Sequence, residues 1–430
     1  MIETTKKKLI LIQLNELNFE LIKKYSEKYK FKFFNENFFD KLIETKSEKE
    51  YQFLEPWIQW VSVYTGLEAK EHGVFRLGDS ENKDFNNLYN LIEKKGFSVG
   101  AIAPMNLNNK LKRPLYFIPD PWSRLNSDNK WINKFITKIV KKFVNENSSK
   151  NKSLKDYFSL LFIVIIFFRF KNFKLLIKIL KGIRNHWNKA LLFEFILNNI
   201  HLKKIKRYNP DFSSIFFNSG AHIQHHYVFN SIFNNKIENP EWYVKKNQDP
   251  IFDMIIFYDE LLNEYSKNKK YDLILATGLR QIPYDRRKYY YRLKSHENFL
   301  KKISVKFEKI IPKMSRDFLI IFKNFDDVAI AEKIFNTINK INNKNIFLID
   351  VRKNSIFVTL AINDEILAGY KIKINSNNTL DLSKYVNLIA LKNGMHHEKG
   401  YYYSSFKIPT LEKNQHIKKI YQVIKKYFEK

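Results

Sequence analysis

The feature that most constrains the fold is a set of short apolar segments, each followed at once by polar residues. Residues 9–14 are almost entirely apolar, and Phe212–Phe217 and 273–276 have a similar form. Runs of this length are typical of strands buried on both faces of a parallel sheet. The pattern over 19–29, with Asn18 as an N-cap, predicts a helix after the first strand. We therefore predict an α/β fold with a mostly parallel central sheet flanked by helices.

Composition limits the classes of protein to which the chain can belong. Its 430 residues are 44% hydrophobic, which is enough for a sizeable core, and it lacks cysteine, which excludes disulfides and thiolate metal sites. We expect a cytoplasmic protein. A helical pattern predicts an insertion or cap at 126–206, and an α/β pattern predicts a smaller insertion at 299–380. The predicted core comprises 1–125, 207–298 and 381–430.

The charge of the chain is strongly positive, at +31, because 75 Lys and Arg oppose 44 Asp and Glu. Such a charge favours anionic partners. Lysine is spread along the whole sequence and no nucleic-acid-binding motif is present, so we attribute the charge to compositional bias and predict no nucleic acid partner. The most apolar run, 157–168, is shorter than the about 20 residues that span a bilayer. It fits a buried helix or a helix lying on a surface, so peripheral membrane contact stays an alternative.

Polar clusters follow the predicted strands, at the sheet edge where open α/β folds bind ligands. One cluster, 218–226, holds three histidines within five residues, and His396 and His397 form a second pair in a predicted turn at 394–397. Imidazole nitrogen is a common metal ligand, and it suits zinc, iron, manganese or nickel. The pattern is equally consistent with a metal or catalytic site and with hydrogen-bonded histidines in a polar cleft.

A third cluster lies at the start of a predicted helix. Pro56 suits the first helical position, and a helix N-terminus can bind phosphate or sulfate through its free N–H groups. Trp57 and Gln59 fall in this first turn. Tryptophans in such a helix can also simply fill core space, which is the simpler interpretation of Trp57 and Trp60.

Five motifs, in order, resemble the type I phosphodiesterase/nucleotide pyrophosphatase branch of the alkaline phosphatase superfamily. They are the first strand with Asn15-Glu16, Thr65-Gly66-Leu67 followed by His72-Gly73-Val74, Asn218-x-x-x-His222, Tyr258-Asp259, and Gly394-Met395 with His396 or His397. The resemblance covers roughly 5–125, 208–285 and 385–410. It implies an alkaline phosphatase-like core with two metal ions and a Thr or Ser nucleophile, where the metals clamp the attacking and leaving oxygens.

The chain departs from this pattern where ligands and nucleophile are expected. Asn15 and Asn218 replace aspartates, Pro56 stands at the nucleophile position, and 276–279 lacks the usual Ser-Asp-His-Gly. By the resemblance, one ion loses its ligands and the other keeps part of its set. We therefore expect at most one divalent ion, zinc or manganese, or none. The candidate ligands are Asn218, His222, His396 and His397.

The remaining polar residues receive roles in this altered site. Glu16 and Glu55 flank the lost positions and are candidates for a general acid or base, while His225 is a candidate for metal binding or for protonating a leaving group. Arg280 is expected to neutralise charge on an oxyanion. The residues expected to bind substrate are Asn15, Trp57, Gln59 and Gln281.

Two interpretations of function follow, and a third stays open. The first is a divergent phosphodiesterase-like hydrolase or transferase acting on a phosphate or sulfate ester, either small or carried on a glycan or lipid. The second is a pseudoenzyme that keeps the fold and binds an anionic ligand or partner without turnover. The third is a basic protein at a membrane surface, anchored by 157–170. Metal content and ester cleavage distinguish the first two.

Overall fold

The chain divides into two structural units. The computed structural model describes residues 8–145, 152–234, 236–313, 316–407 and 412–429. The larger unit comprises 1–283 and 394–430, and the smaller unit comprises 284–393. The predicted insertion at 299–380 lies within the smaller unit, and its boundaries, like those of 126–206, stay predictions.

The larger unit alternates strands and helices and contains a long helical stretch. In chain order its elements are β1 (Lys8–Leu14), α1 (Phe19–Lys28), α2 (Glu36–Phe39), β2 (Ile43–Lys46), α3 (Pro56–Thr65), α4 (Ala69–His72), α5 (Leu88–Lys94), β3 (Val99–Ile102), β4 (Tyr116–Ile118), α6 (Trp131–Asn145), α7 (Leu154–Phe167), α8 (Phe173–Lys181), α9 (His186–Tyr208), β5 (Phe212–Phe217), α10 (Ser219–Tyr227), α11 (Pro250–Ser266) and β6 (Tyr271–Ala276). The chain leaves this unit through β7 (Arg280–Leu293).

The smaller unit is built around an antiparallel sheet. Its elements are α12 (His296–Lys302), β8 (Lys309–Pro312), β9 (Asp317–Ile321), α13 (Phe325–Ile341), β10 (Phe347–Arg352), β11 (Ser355–Leu360), β12 (Lys371–Lys373) and β13 (Thr379–Asp381). The four-stranded sheet has the order β10-β11-β9-β8. The chain returns to the larger unit through β14 (Val386–His397), which is followed by β15 (Lys399–Ser404), β16 (Gln415–His416) and α14 (Lys419–Tyr427).

The central sheet has the strand order β16-β2-β15-β6-β1-β5-β3-β4. β1 lies between β5 and β6 and is parallel to both, β3 is parallel to β5 and β4, and β15 is antiparallel to β6 and β2. All residues of β5 and β6 are buried, as expected for parallel strands covered on both faces. The predicted fold class is confirmed, as are the first strand and the helix after it, whose N-cap Asn18 accepts from the N–H of Leu21.

Between β4 and β5 the described residues form helices α6 to α9 without an intervening strand, as the pattern over 126–206 predicted; residues 146–151 lie outside the described part. Among the described helices, none combines the length and the apolarity needed to cross a bilayer.

Asp259 fixes the connection that follows α1. Its buried carboxylate accepts three backbone N–H groups, from Lys32 at 2.9 Å, Phe33 at 2.7 Å and Phe34 at 3.0 Å. Hydrogen bonds to a charged acceptor are stronger than neutral ones, and removing the acceptor would leave buried donors without a partner. The aspartate that the sequence motif singled out therefore has a structural role here.

We expect Asp259→Ala to lower the free energy of unfolding of the larger unit by about 3 kcal/mol, because three donors lose a charged acceptor at once. The matched control is Glu260→Ala at the next position, where an exposed ion pair with Lys32 is lost and the expected change is below about 0.5 kcal/mol. All six tryptophans lie in the larger unit, so urea unfolding followed by tryptophan fluorescence measures its stability. Equal effects of both substitutions would contradict this role.

Candidate functional site

The carboxyl ends of three parallel strands bring polar residues to one edge of the sheet. β1 ends before Asn15, β5 ends before Asn218, and β6 ends before Thr277. The N–H of Asn15 donates to the carbonyl of Phe217 at 3.0 Å, and the N–H of Glu16 donates to that of Thr277 at 2.9 Å. Because β15 runs antiparallel, it begins at this same edge, so the end of β14 is placed there too.

Glu16 is the centre of this edge. Its side chain is buried, and its backbone φ of +58° lies in the left-handed region that favours glycine. The surrounding structure holds this conformation, since the carbonyl of Glu16 accepts from Nε2 of Gln224 at 3.1 Å and from the N–H of Gln281 at 3.2 Å. Strained, buried and charged residues of this kind are concentrated at functional sites.

Two histidines meet the carboxylate of Glu16. Its Oε2 lies 3.0 Å from Nε2 of His225 and 3.1 Å from Nε2 of His396, and the two nitrogens are 3.2 Å apart. His225 comes from α10 and His396 from β14, so the group joins residues that are far apart in sequence. Among the residues that the structure describes, these three form the one group of His, Cys, Asp or Glu whose atoms are close enough to share a metal ion.

Hydrogen bonding fixes the orientation of these groups. Nδ1 of His225 lies 2.9 Å from the carbonyl of Gly394, which can only accept, so Nδ1 carries a proton. In its neutral form His225 then presents the lone pair of Nε2 to Glu16, and in its charged form Nε2 also donates. Gln281 donates from Nε2 to Oε2 of Glu16 at 2.5 Å, which adds a further constraint on the carboxylate.

Nearby positive charge controls the ionisation of Glu16. Burial by itself raises the pKa of Glu16, but positive charge on His396 and His225 and their hydrogen bonds outweigh it, so the pKa lies well below its ordinary value. An ionised carboxylate without such a partner would be very costly in this position. Positive charge beside Glu16, as protons on the imidazoles or as a metal ion between the three atoms, therefore keeps its carboxylate ionised.

Glu55 stands on the far side of His396. Its Oε2 lies 3.7 Å from Nδ1 of His396, and its side chain is 34% exposed, whereas that of Glu16 is 3% exposed. Glu55 is the N-cap residue of α3, but its side chain makes no capping hydrogen bond. The two predicted acid/base carboxylates thus have different surroundings: Glu16 is buried within the cluster, and Glu55 is accessible at its rim.

Asn15 and Asn218 lie beside the cluster and bind each other. Nδ2 of Asn15 donates to Oδ1 of Asn218 at 2.8 Å and to Oε1 of Glu16 at 2.9 Å, while Trp60 donates from Nε1 to Oδ1 of Asn15 at 2.8 Å. Two carboxylates at these positions would repel each other without an ion between them. Two amides instead form a direct hydrogen bond, so neither needs a metal.

The structure places the predicted histidines of α10 on different sides. His225 joins Glu16, whereas His222 is exposed and its ring lies 4.8 Å from that of His226, one helical turn on. The motif assigned the ligand role to His222. Residues three apart on a helix point in different directions by about 60°, which decides which imidazole reaches the sheet edge.

The predicted turn at 394–397 is instead the end of strand β14, which corrects the sequence interpretation. Successive side chains of a strand point to opposite faces. His396 therefore faces Glu16, while His397 lies near Arg280. Burial, followed by the charge of Arg280, lowers the pKa of His397. The paired histidines divide between two environments.

Arg280 is bound to partners outside the cluster. Its Nη1 lies 2.5 Å from Oε1 of Glu20 and donates to the hydroxyl of Tyr401 at 2.6 Å. Glu20 and Tyr401 line a separate cavity with a volume of about 280 Å³. The guanidinium that we expected at an oxyanion is thus placed against Glu20.

Of the side chains predicted to bind substrate, two lie against the main chain around α3 and two contact Glu16. Trp57 donates to the carbonyl of Phe75 at 3.2 Å, and the fully buried Gln59 donates to that of Phe53 at 2.8 Å, so both hold the main chain around α3. Gln281 and Asn15 contact Glu16. Gln224 also contacts Glu16, although we did not predict it as a site residue. The one local signal for this role is its position one helical turn after Gly220 in the histidine-rich segment.

The donor set of the cluster fits a metal ion. One carboxylate and two imidazoles form a known set of ligands for catalytic zinc, and donors bound to one tetrahedral zinc at about 2.0–2.1 Å lie roughly 3.3 Å apart. The separations of 3.0–3.2 Å among Glu16, His225 and His396 are close to this value. The carbonyl bound to Nδ1 of His225 supplies the orienting contact that metal-bound histidines usually have.

The chain thus has an α/β fold with a cluster of one glutamate and two histidines at the edge of its sheet. Solved structures resemble this fold. Phosphonoacetate hydrolase from Sinorhizobium meliloti is 9% identical over 99% of this chain and 96% of that chain, with a TM-score of 0.45. Murine ectonucleotide pyrophosphatase/phosphodiesterase 5 is 11% identical over 98% and 95%, with a TM-score of 0.42. The alkaline phosphatase PafA is 11% identical over 98% and 95%, with a TM-score of 0.47.

All three belong to the alkaline phosphatase superfamily, the one that the sequence motifs resemble. The identities are low, and the activities in these names are those of the named proteins. No protein-family model matches the sequence, and no curated protein matches it.

Glu194 occupies the N-terminus of α10, the helix that carries His225. Its Oε1 accepts from the N–H groups of Asn218 and Ser219, and its Oε2 accepts from the hydroxyl of Tyr258 at 2.7 Å. This end of α10 is therefore already bound to a carboxylate of the chain itself. Burial raises the pKa of Glu194 to about 7, despite these hydrogen bonds.

The raised pKa of Glu194 predicts a pH-dependent stability. The folded state binds the proton more tightly than the unfolded state, so this contribution is complete below pH 4.5 and is lost as the pH rises through 7. Glu194→Gln should unfold like the native chain at pH 4.5 and be more stable by roughly 2 to 3 kcal/mol at pH 8. Urea unfolding at both pH values measures the difference, and a difference that does not change with pH would refute the assignment.

Zinc titration tests the composition of the cluster. We expect one zinc ion per chain, with affinity weakened at least about 100-fold by His225→Ala or His396→Ala, because each removes a ligand. His222→Ala is the matched control on the same helix and should change the affinity by less than about threefold. Isothermal titration calorimetry provides the measurement. If His222→Ala lost zinc and His225→Ala kept it, the ligand would be His222, as the sequence motif indicates, and not His225.

Proposed function

We propose that the chain is a phosphodiesterase-like hydrolase or transferase for an anionic phosphate or sulfate ester, with a single divalent ion at the sheet edge. The observation that carries the proposal is the cluster of Glu16, His225 and His396, whose three converging atoms lie within 3.2 Å of one another. Perturbed ionisable groups held this closely at a sheet edge are typical of catalytic sites.

The buried cluster would hold the ion, zinc in preference to manganese, because two of three donors are imidazoles. When bound, such an ion supplies Lewis-acid stabilisation for charge on a phosphoryl or sulfuryl oxygen. Glu16 then serves as a ligand and no longer as a base. Its carboxylate is oriented by Gln281 and Asn15, whose amides donate to the two carboxylate oxygens.

Glu55 is the residue that we propose as general base. It is accessible at the rim of the cluster, 3.7 Å from Nδ1 of His396, whereas Glu16 is enclosed. A carboxylate in this position can accept the proton of an attacking water or alcohol. Because Pro56 occupies the position of the usual Thr or Ser nucleophile and has no hydroxyl, we propose direct attack by water or an acceptor alcohol without a covalent intermediate. The new bond to phosphorus or sulfur forms as the bond to the leaving alcohol breaks, and the leaving oxygen takes a proton from water.

A pseudoenzyme is the second candidate. The observation that favours it is the hydrogen bond between Asn15 and Asn218, which replaces a carboxylate pair by neutral amides that need no metal. Protons on His225 and His396 would then supply the charge that Glu16 needs, and the edge would bind an anion without cleaving it.

The two candidates differ in turnover. We expect the zinc-loaded chain to cleave an aryl phosphodiester faster than buffer and zinc alone, and Glu55→Gln to lower kcat about 100-fold or more while zinc stays bound. Glu16→Gln should lose both zinc and activity. The measurement is release of the aryl alcohol with zinc content determined in the same samples.

Glu50→Gln is the matched control, because Glu50 is exposed in the segment before α3 and pairs with Lys70. It should retain both zinc and activity. The native chain should be tested on aryl phosphodiesters, monoesters and sulfates. If it binds no zinc and cleaves none of them, the chain is a pseudoenzyme and not a hydrolase.

A further inference from the structure

Helix α7 exposes an apolar face along its whole length. Leu154, Phe158 and Ile165 are 78%, 67% and 65% exposed, although large apolar side chains of this kind are usually buried. The other exposed apolar residues of the helix are Tyr157, Leu161, Phe162 and Ile166. They recur at intervals of three and four residues, which places them on one side of the helix. The side opposite packs inward through Ile163 and Phe167.

The next helix also exposes apolar side chains and adds positive charge, and the ring of Phe168 at the end of α7 contacts those of Phe170 and Phe173. Phe170 is 88% exposed just before α8, and Phe173, Ile177 and Leu180 are exposed along α8. Each of these three is followed in sequence by an exposed lysine: Lys174, Lys178 and Lys181. An apolar stripe with lysines beside it is the pattern of helices that lie in a membrane interface.

The sequence around this surface contains no negative charge. Residues 157–193 hold seven Lys and Arg and neither Asp nor Glu. The acidic residues that bound the stretch, Asp156 and Glu194, are both buried. Arg169 and Lys171 lie beside Glu264, whereas Lys174, Lys178 and Lys181 are exposed next to the apolar side chains. A partner that accepts apolar side chains and carries negative charge fits this surface, and a bilayer containing anionic phospholipid has both properties.

From these observations we infer that the exposed face of α7 and α8 docks on an anionic membrane surface. α7 has 14 residues and is about 21 Å long, less than the roughly 30 Å of a hydrocarbon core, so it lies along the interface. The apolar side chains enter the acyl region, and the lysines of α8 contact lipid phosphates and carboxylates. This membrane docking is separate from the proposed ester cleavage and does not depend on it.

Vesicle flotation tests the inference with the full chain. We expect binding to phosphatidylcholine vesicles that contain phosphatidylserine, weakened on the order of 100-fold by the double substitution Phe158→Glu and Ile165→Glu. Lys174→Ala with Lys178→Ala should weaken binding roughly 30-fold to these vesicles. Binding should also weaken as salt is added, because the lysine contribution is screened.

The matched control places the same change elsewhere. Phe325 and Ile330 on α13 are 70% and 55% exposed, so Phe325→Glu with Ile330→Glu adds equal charge to an exposed helix of the smaller unit. This variant should bind vesicles like the native chain. Equal loss in both double variants would overturn the inference, because it would show an effect of net charge alone.

A second measurement does not depend on loss of binding. The chain has no cysteine, so Phe162→Cys and Phe325→Cys each provide one site for an environment-sensitive fluorophore. Vesicles containing phosphatidylserine should shift the emission of the label at 162 to shorter wavelength and leave that at 325 unchanged. No shift at 162, or no flotation of the native chain at low salt, would refute membrane docking. A dimer that Phe158→Glu with Ile165→Glu dissociates, without vesicle binding, would assign the face to a second copy.

Discussion

The buried carboxylate of Glu16 is held between two imidazoles that approach the same oxygen, at 3.0 Å from His225 and 3.1 Å from His396. Its charge is stable in this place only because positive charge lies beside it. The backbone of Glu16 lies in the left-handed region that favours glycine. The chain therefore holds a buried carboxylate in a conformation that most residues avoid.

The amides beside Glu16 hold this part of the sheet edge together by hydrogen bonds. Asn15 and Asn218 hydrogen-bond each other directly, and Oδ1 of Asn15 accepts from Nε1 of Trp60. These contacts stabilise the edge without a metal. The cluster of Glu16, His225 and His396 lies next to them, since Asn15 also donates to Oε1 of Glu16.

The strands β1, β5 and β6 and the mostly parallel arrangement of the sheet followed from the sequence, while the order of all eight strands and the choice among neighbouring residues did not. Burial on both faces makes β1 and β6 recognisable from composition alone. Which of His222 and His225 reaches Glu16 depends on the rotation of helix α10. Which of His396 and His397 reaches it depends on the alternation of side chains along strand β14, and this strand was not predicted because Gly394 suggested a turn. The contacts of Gln224 require tertiary structure and have no local signal.

X-ray absorption spectroscopy of the zinc-loaded native chain tests whether Glu16, His225 and His396 bind zinc, because it reports the atoms bound to the ion. We expect inner-sphere coordination by two imidazoles and a carboxylate, with zinc–nitrogen distances of about 2.0–2.1 Å. A spectrum with three or more imidazoles would place zinc on other histidines. Coordination by water alone would show that protons, and not a metal, neutralise Glu16.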